Sequence, residues 1–258
     1  MVSKWLKRFY TFMVFAFLYA PIVVLIVFSF NDSKSTAKWQ GFTFKWYATL
    51  LENDLIMKSL YYTILVALLA SFLATLIGTF AAFGIHYAPK WRQKVILNVN
   101  ALPILNPDIV TGISLMTLFV WFKMSLGFMT MLIAHMTFCI PYVILAVLPK
   151  MRQMPQDVLE AAMDLGATPF EAFKKVILPE IKPGIISGAL IAFTLSIDDF
   201  VISFFTTGNG VSNLSIAIYS MTKRGIKPEI NALSTLMFLS VLILLLILNK
   251  RTKNIEEL

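Results

Sequence analysis

Charged residues are scarce in this sequence. Only 14% of the 258 residues are charged, whereas 58% are hydrophobic and the mean hydropathy is +0.78. Soluble globular domains have about 25% charged residues, so the composition excludes a soluble domain and predicts a membrane protein.

Residues that form disulfides, metal sites and nucleotide sites are also few. Cys139 is the single cysteine, which excludes an intramolecular disulfide and a cysteine-based metal site. His86 and His135 each lack a second ligand three or four residues away, so we interpret them as a histidine at the cytoplasmic border and a hydrogen-bonded intramembrane histidine. The pattern G-x-x-x-x-G-K-[ST] is missing, so this chain is not its own nucleotide-driven motor.

Long hydrophobic runs, in contrast, are abundant. Six segments are each about 20 residues long or longer, enough to cross roughly 30 Å of hydrocarbon. The runs are continuous rather than alternating, which favours helices over a β-barrel. The predicted fold class is therefore all-α, a polytopic membrane protein with one domain over residues 1–258. Its six predicted transmembrane helices cover residues 9–30, 59–85, 95–122, 127–148, 184–206 and 230–248.

The basic residues predict the orientation. With the N-terminus in the cytoplasm, fourteen of the 22 Lys and Arg residues fall on inside segments and eight on outside segments, as the positive-inside rule requires. The N-terminal basic residues resemble those of a signal peptide, but the apolar run that follows is too long and lacks a small-x-small cleavage site. We therefore expect a retained first span and cytoplasmic N- and C-termini. This topology accounts for the net charge of +8 without a nucleic-acid partner.

A polar segment at residues 150–183, which we call the knob, interrupts the apolar runs on the predicted cytoplasmic side. Pro155 fits the first turn of a helix, with Asp157 close behind where the helix dipole favours an acid. Val158, Leu159, Ala162 and Leu165 follow as an apolar stripe at helical spacing. Gly166 predicts the end of this first helix.

A second short helix is predicted directly after the first. Thr168 and Glu171 have the spacing of a capping box, with Pro169 at the first helical position. Phe170, Phe173 and Ile177 would line one face, and Pro179 and Pro183 would end the helix. Two capped helices joined by a glycine predict a rigid projection, for which an amphipathic hairpin lying on the lipid surface is the alternative.

The knob resembles the EAA loop of permease subunits of bacterial ABC importers. The resemblance is carried by Glu160-Ala161-Ala162, Gly166 and Ile177-Leu178-Pro179, together with their spacing and their position before the last two spans. Other segments are similar to the spermidine/putrescine permease subunits of that family. They are Trp39-Gln40-Gly41-Phe42, Lys45-Trp46-Tyr47, Pro107-Asp108-Ile109-Val110, Ser196-Ile197-Asp198-Asp199 and Pro228-Glu229-Ile230-Asn231-Ala232-Leu233.

The resemblance implies a heteromeric importer in the bacterial cytoplasmic (inner) membrane. A cytoplasmic ABC ATPase dimer would bind ATP and Mg²⁺ and hold the knob in a cleft, and its closure would displace the knob as a rigid body. A second homologous permease subunit would complete the path, and an extracytoplasmic binding protein would deliver polyamine. This chain would be a transport subunit without a cofactor of its own, not an enzyme.

The same resemblance assigns coupling roles within the knob. Glu160 is expected to make a charged contact with the ATPase, and Leu165 and Phe170 to fill its cleft. The small residues Ala161, Ala162 and Gly166 would allow close approach, and Ile177, Leu178 and Pro179 would complete the coupling motif.

Three acidic residues fall at membrane depth, namely Asp108, Asp198 and Asp199. A carboxylate inside a span costs several kcal/mol unless it is paired or lines water, so each is a functional candidate. Apart from Lys123 at an outer boundary, no basic residue lies at that depth, which favours a cationic cargo over an anionic one. Carboxylates along a path, with aromatic faces between them, would complement the ammonium groups of a polyamine.

Each acid also has a structural explanation. Asn106 could cap a helix that restarts after a break, which would satisfy Asp108, although broken helices also occur at transporter substrate sites. Asp198 and Asp199 would lie about 100° apart on one helix, so one could face the path while the other pairs elsewhere. Ser196 and Ser203 could add hydroxyls to the path, but bonds to their own helix backbone are favoured.

Aromatic and polar residues mark the predicted external face. Trp39, Trp46 and Tyr47 are typical of an interfacial aromatic belt, and the resemblance makes Trp46 a candidate gate or path residue. Residues 214–221 predict an interfacial or re-entrant helix because they are too few to span. Gly208-Asn209-Gly210 predicts a turn, and a contact with the delivery protein is assigned to Lys223, Arg224 and Glu229.

Three alternatives stay open. A related importer permease for another cation or a neutral solute shares every feature except the polyamine assignment. A gradient-driven secondary carrier is disfavoured by the knob and by the absence of an inverted repeat in the sequence. A membrane-embedded enzyme would need a metal cluster, catalytic dyad or cofactor motif, and the sequence shows none.

Overall fold

A computed structural model describes residues 4–33, 38–155, 157–208, 210–223 and 228–256, with side chains up to residue 243. Helices dominate these residues, and the β pairing within them is a single isolated bridge between Asn31 and Phe42. The all-α prediction is confirmed. The helices are α1 (Lys4–Ser29), α2 (Lys45–Glu52), α3 (Asp54–His86), α4 (Lys90–Leu105), α5 (Asp108–Trp121), α6 (Phe128–Gln153), α7 (Val158–Asp164), α8 (Pro169–Ala172), α9 (Leu178–Asp198), α10 (Val201–Thr206), α11 (Leu214–Lys223) and α12 (Pro228–Glu256).

The apolar helices are compatible with the predicted spans. In the described part of the chain, four continuous helices are long and apolar enough to cross a membrane: Lys4–Ser29, Asp54–Tyr87, Phe128–Gln153 and Pro169–Asp198. The pair α4 and α5 makes a fifth span if the two count as one. The sixth predicted span falls on α12, whose apolar part with described side chains is the shorter stretch Pro228–Ile243.

The third predicted span is broken rather than continuous. α4 and α5 meet at an angle of 105°, and Asn106-Pro107 lies between them. Asn106 is extended at φ −76° and ψ 142°, because the proline that follows disfavours the helical conformation there. Asn106 does not cap α5, which begins after Pro107 without a side-chain cap. We call this interruption the third-span break.

The fifth predicted span is also broken, which corrects the prediction of one helix over residues 184–206. α9 ends at Asp198, Asp199 is extended at φ −61° and ψ 125°, and α10 starts at Val201. Asp198 and Asp199 therefore do not project 100° apart from one helix. We call this interruption at Asp199-Phe200 the fifth-span break.

The first helix of the knob starts later than predicted and ends where predicted. α7 begins at Val158 with Asp157 before it, so Pro155 lies outside the helix. Gly166 has φ +89°, a left-handed conformation that glycine adopts without strain. The backbone N–H of Ala167 donates to the carbonyl of Ala162, which closes the helix end in the manner of a Schellman motif.

The second helix of the knob starts with the predicted capping box but does not end at the prolines. The Glu171 N–H donates to Thr168 Oγ1 (3.3 Å), and the Thr168 N–H donates to Glu171 Oε2 (3.2 Å). The helix then runs without a break to Asp198 through one π-helical turn, Phe173–Ile177. A proline ring clashes with the carbonyl four residues earlier in an α-helix, so the wider turn directly before Pro179 accommodates it.

The chain divides into two compact units. In the unit of residues 58–216, α6 packs closely along α9 because Gly184 and Gly188 leave no side chain between the helices; a Cβ at Gly184 would lie 3.0 Å from the Ala146 carbonyl oxygen. In the unit of residues 1–57 and 217–258, α12 packs against α1 and α2, and Trp46 and Leu50 are buried.

Candidate functional site

A buried polar cluster surrounds the fifth-span break, and His135 of α6 is at its centre. The His135 side chain is 3% exposed. Its Nδ1 atom is hydrogen-bonded to Ser196 Oγ on α9 (2.7 Å), and its Nε2 atom to Ser203 Oγ on α10 (2.8 Å). The predicted interpretation of His135 as a hydrogen-bonded intramembrane histidine is confirmed. The two serines bond this ring rather than their own helix backbone, which corrects their predicted use.

Asp199 belongs to the same cluster. Its carboxylate is 7% exposed, and Oδ2 lies 3.4 Å from His135 Nε2. Oδ1 accepts from the Ile202 N–H (3.3 Å) and Oδ2 from the Ser203 N–H (2.8 Å). Asp199 thus satisfies the first backbone N–H groups of α10, which would otherwise lack partners in an apolar surrounding.

Residues after α10 satisfy the carbonyl groups at the end of α9. Asn213 Nδ2 donates to the Asp199 carbonyl (2.9 Å) and to Ser203 Oγ (2.7 Å). Ser215 Oγ donates to the Asp198 carbonyl (3.4 Å). Side chains from α6, from the break itself and from residues 213–215 therefore hold the break together. They bond the backbone carbonyls of Asp198 and Asp199 and the backbone N–H groups of Ile202 and Ser203.

The two remaining acids are exposed, and each lies next to one of the two breaks. Asp198 and Asp108 both have exposed side chains. Asp108 and Gly112 share a face of α5, because residues four apart are neighbours on a helix. A Cβ at Gly112 would lie 3.4 Å from the Val201 carbonyl oxygen, so α5 packs closely on the start of α10. The second half of the third span, α5, therefore packs against the second half of the fifth span, α10.

The polar edge of Trp46 is bonded within its own unit. The side chain is buried, and its indole Nε1 donates to the Asn31 carbonyl (2.7 Å). Tyr47 is likewise engaged, because its hydroxyl is hydrogen-bonded to Ser29 Oγ (2.7 Å). These contacts anchor α2 within its unit. Trp39, in contrast, is exposed as an interfacial residue would be.

The predicted coupling residues separate into two groups. The exposed members are Glu160, Ala161, Leu165, Gly166, Phe170 and Pro179. Two of them are large apolar side chains, Leu165 at 90% exposure and Phe170 at 72%. Ala162 and Leu178 are half-buried. Ile177 is fully buried in the core formed around α6, so it packs the knob against that core.

The first turn of the second knob helix contains a glutamate, Glu171, that is ion-paired with Lys175. Glu171 lies before the apolar part of the helix, and its Oε1 accepts from Lys175 Nζ (3.0 Å). This bond, together with those from Thr168, lowers the pKa of Glu171 to about 2. An anionic residue in the first turn suits the positive end of the helix dipole.

The remaining predictions for the external face concern residues that are only partly described. Residues 214–221 lie in α11, which confirms a short helix there. Gly208 and Gly210 have positive φ, as a turn requires, but Asn209 lies outside the described part of the chain. Arg224 also lies outside it, so the contact assigned to Lys223, Arg224 and Glu229 stays a prediction.

Sequence reasoning missed His135 and Asn213 as members of this site. Both are single polar residues in apolar surroundings, 61 and 14 residues in sequence from Ser196 and Asp199, the residues they bond. A pattern over one segment does not reveal such a pairing. The available signal was the closeness in sequence of Ser196, Asp199, Ser203 and Asn213, which are polar residues within or next to an apolar run.

Comparison with known proteins gives the context of this geometry. A sequence model of the family described as "Binding-protein-dependent transport system inner membrane component" matches residues 74–253, which include both breaks and the knob. The chain belongs to this family. It is a multi-pass membrane protein of the transport permease class.

Several relatives within the family are similar over most of their length. The spermidine/putrescine transport system permease protein PotC of Escherichia coli (strain K12) is 38% identical over 95% of this chain and 93% of its own. The putrescine transport system permease protein PotI of the same strain is 40% identical over 86% of this chain and 82% of its own.

A solved structure shares the fold at low sequence identity. It is a chain of a bacterial ABC transporter involved in the import of the acidic polysaccharide alginate, with a TM-score of 0.74, 15% identity, and coverage of 97% of this chain and 94% of that one. At this identity the likeness shows a shared fold.

Proposed function

We propose that this chain is the permease subunit of an ATP-driven ABC importer and forms, with a second permease subunit, the transmembrane path for polyamines such as spermidine and putrescine. The observation that carries the proposal is the pair of exposed carboxylates, Asp108 and Asp198, at two broken spans that pack together. They occur in a chain that is similar to polyamine permeases over most of its length.

The two carboxylates suit a cargo of separated ammonium groups. Each would form a charge-assisted hydrogen bond to one ammonium group as the cargo passes. An ionisable residue in a span is costly, and both Asp108, in the first turn of α5, and Asp198, at the end of α9, are such residues. Discontinuous helices of this kind form substrate sites in other transporters.

The knob would couple this path to a separate ATPase. Leu165 and Phe170 expose large apolar side chains on the knob, where Glu160 is also exposed, as residues that insert into a partner's cleft would. The helix that starts at Pro169 continues to Asp198, so displacement of Phe170 would be passed along one helix to the fifth-span break. ATP and Mg²⁺ would bind the ATPase and not this chain.

The remaining partners follow from the same assembly. A second homologous permease would supply the other wall of the path, and an extracytoplasmic binding protein would deliver the cargo. The knob and both termini would face the cytoplasm, because that orientation places most basic residues inside. The coupling loop would comprise residues 150–183 of one permease domain.

The test is uptake by the reconstituted complex of this chain, its ATPase, the second permease and the binding protein. Labelled spermidine and putrescine are expected to enter with ATP, and a neutral solute is not. Equal uptake of the neutral solute would favour a permease of broader cargo, and uptake without ATP would favour a gradient-driven carrier.

Glu160→Lys tests the coupling assignment. Reversing a charge in a docked interface costs at least about 1.4 kcal/mol, so polyamine uptake and ATPase association are expected to fall about tenfold or more. Glu52→Lys is the matched control, since it makes the same reversal at an exposed position of α2, outside the knob. Unchanged uptake and association in the Glu160 variant would contradict the docking assignment.

A further inference from the structure

The fifth-span break brings two adjacent carboxylates into different surroundings. Asp199 is almost fully buried and bonded to two backbone N–H groups, with His135 beside it. Asp198, one residue earlier, is exposed at the end of α9. Two neighbouring aspartates therefore differ: the Asp199 carboxylate is used by bonds within the protein, and the Asp198 carboxylate is accessible.

His135 is the residue that joins the parts of this break. Its ring lies on α6 and reaches Ser196 on the last turn of α9 with one nitrogen and Ser203 on α10 with the other. These serines are seven residues apart on opposite sides of Asp199. The histidine thus fixes the distance between the two helix ends, and the conformation of the short link between them follows from that distance.

We propose that His135 is a positioning residue for cargo transfer: by holding Ser196, Ser203 and Asp199 around the break, it keeps Asp199 out of the path and leaves Asp198 as the carboxylate that meets an ammonium group of the cargo. This inference rests on the proposed function, because it assigns the acidic site of that path. It also assigns Asp199 and Ser196 to holding the break rather than to binding cargo.

The two amide substitutions of His135 separate its contacts. Glutamine places an amide near the position of Nε2 and retains the bond to Ser203 and the approach to Asp199. Asparagine places its amide near Nδ1, retains the bond to Ser196, and leaves Ser203 and Asp199 without their partner. Neither amide titrates, so a difference between the two variants reports the contact and not a charge.

A matched control exists on the same helix. Thr130 Oγ1 donates to the Thr206 carbonyl (2.8 Å), so it also joins α6 to α10, but at the far end of α10 from the carboxylates. Thr130→Val removes this buried bond, together with the bond that Thr130 Oγ1 accepts from the Gly127 N–H at the start of α6 (2.8 Å), and changes no side chain of the fifth-span break. If His135 only stabilised the packing of α10, Thr130→Val would have the same effect on transport.

The experiment is a double-mutant cycle on polyamine uptake by the complete reconstituted complex, with apparent KM and kcat measured for spermidine. Asp198→Asn and His135→Asn are each expected to lower kcat/KM about tenfold, and the double variant no more than either alone, because a displaced Asp198 has little left to lose. His135→Gln should stay within about threefold of the wild type. In the Thr130→Val background, Asp198→Asn should keep its full effect.

Three results would overturn the inference while leaving the proposed function intact: a double variant about a hundredfold impaired, a glutamine variant as impaired as the asparagine variant, or a Thr130→Val variant that abolishes the effect of Asp198→Asn. A wild-type complex that takes up no polyamine would instead overturn the proposed function, and this inference with it. If the His135→Asn chain fails to assemble, Ser203→Ala replaces it in the cycle, since it removes the partner of Nε2, and is scored in the same way.

Discussion

The third-span break and the fifth-span break interrupt membrane helices by different means. At the third, Pro107 removes a backbone N–H and forces Asn106 into an extended conformation, and no side chain caps the helix that follows. The fifth has no proline at the break and is held by the bonds of His135, Asp199 and Asn213. The third-span break is thus imposed by the proline ring of Pro107, and the fifth-span break is held by hydrogen bonds between several side chains.

This difference determines where each break is vulnerable. A proline restricts its neighbour regardless of tertiary contacts, so the third-span break should survive changes around it. The fifth-span break depends on buried polar groups that satisfy one another, and removal of one leaves the others unpaired at full desolvation cost. Substitutions at the two breaks should therefore differ in stability even where both impair transport.

The largest effect is expected for His135→Ala. It leaves Ser196 without its partner, removes one of the two bonds of Ser203 and takes the imidazole away from Asp199. Each unsatisfied buried group costs about 1–3 kcal/mol, and the missing ring leaves a cavity. The free energy of unfolding of the detergent-solubilised protein should fall by about 3 kcal/mol or more, measured by thermal or denaturant unfolding. Thr194→Ala, which removes an exposed bond within α9, is the control and should change stability little. A His135→Ala protein as stable as this control would contradict a break held by side chains.

A smaller effect should separate the acids of the two breaks. Asp199→Asn loses one of two acceptor oxygens and should lower the free energy of unfolding by about 1–3 kcal/mol. Asp108→Asn, at an exposed position, should stay within about 0.5 kcal/mol of the wild type. Both proteins are compared by the same unfolding measurement. Equal losses would mean that Asp108 is as firmly held as Asp199, and the contrast between the breaks would fail.

The smallest change in stability, with a measurable change in shape, is expected for Pro107→Ala. Without the ring, Asn106 regains access to the helical conformation, and the angle between α4 and α5 should decrease from 105°. The free energy of unfolding should change by only about 1 kcal/mol or less, because the proline also restricts the unfolded chain. Spin labels on α4 and α5 measure the angle through their separation.

Pro103→Ala provides the comparison for that measurement, since Pro103 lies inside α4 and not at the break. It should leave the separation of the labels unchanged. A Pro107→Ala protein that keeps the same bend would show that packing, and not the proline, sets the third-span break.

The sequence predicted those structural features that depend on residues close together in the chain. The capping box of Thr168 and Glu171 and the left-handed Gly166 occur where their spacing placed them, since each depends on residues within one helical turn. The apolar runs predicted the spans for the same reason. Asn106-Pro107 was recognised as a possible break because proline acts on its immediate neighbour.

What could not be predicted depends on residues far apart in sequence. Nothing next to Asp199 reveals that His135 lies beside it, so residues 184–206 read as one uninterrupted apolar helix. The burial of Trp46 has the same origin, because its partner carbonyl belongs to Asn31 across a polar segment. Pro179 and Pro183 were misjudged for a different reason: prolines usually end helices, and the compensating turn of Phe173–Ile177 has no sequence signature.

That π-helical turn fixes the length of the segment that contains it. It adds a residue to the helix directly before Pro179, and the wider backbone gives the pyrrolidine ring room. Deleting one residue between Phe173 and Ile177 would restore an ordinary α-helical repeat and bring the ring against a carbonyl oxygen. Replacing Pro179 as well would relieve that collision. Loss of the extra residue together with the proline should therefore strain the helix far less than loss of the extra residue alone.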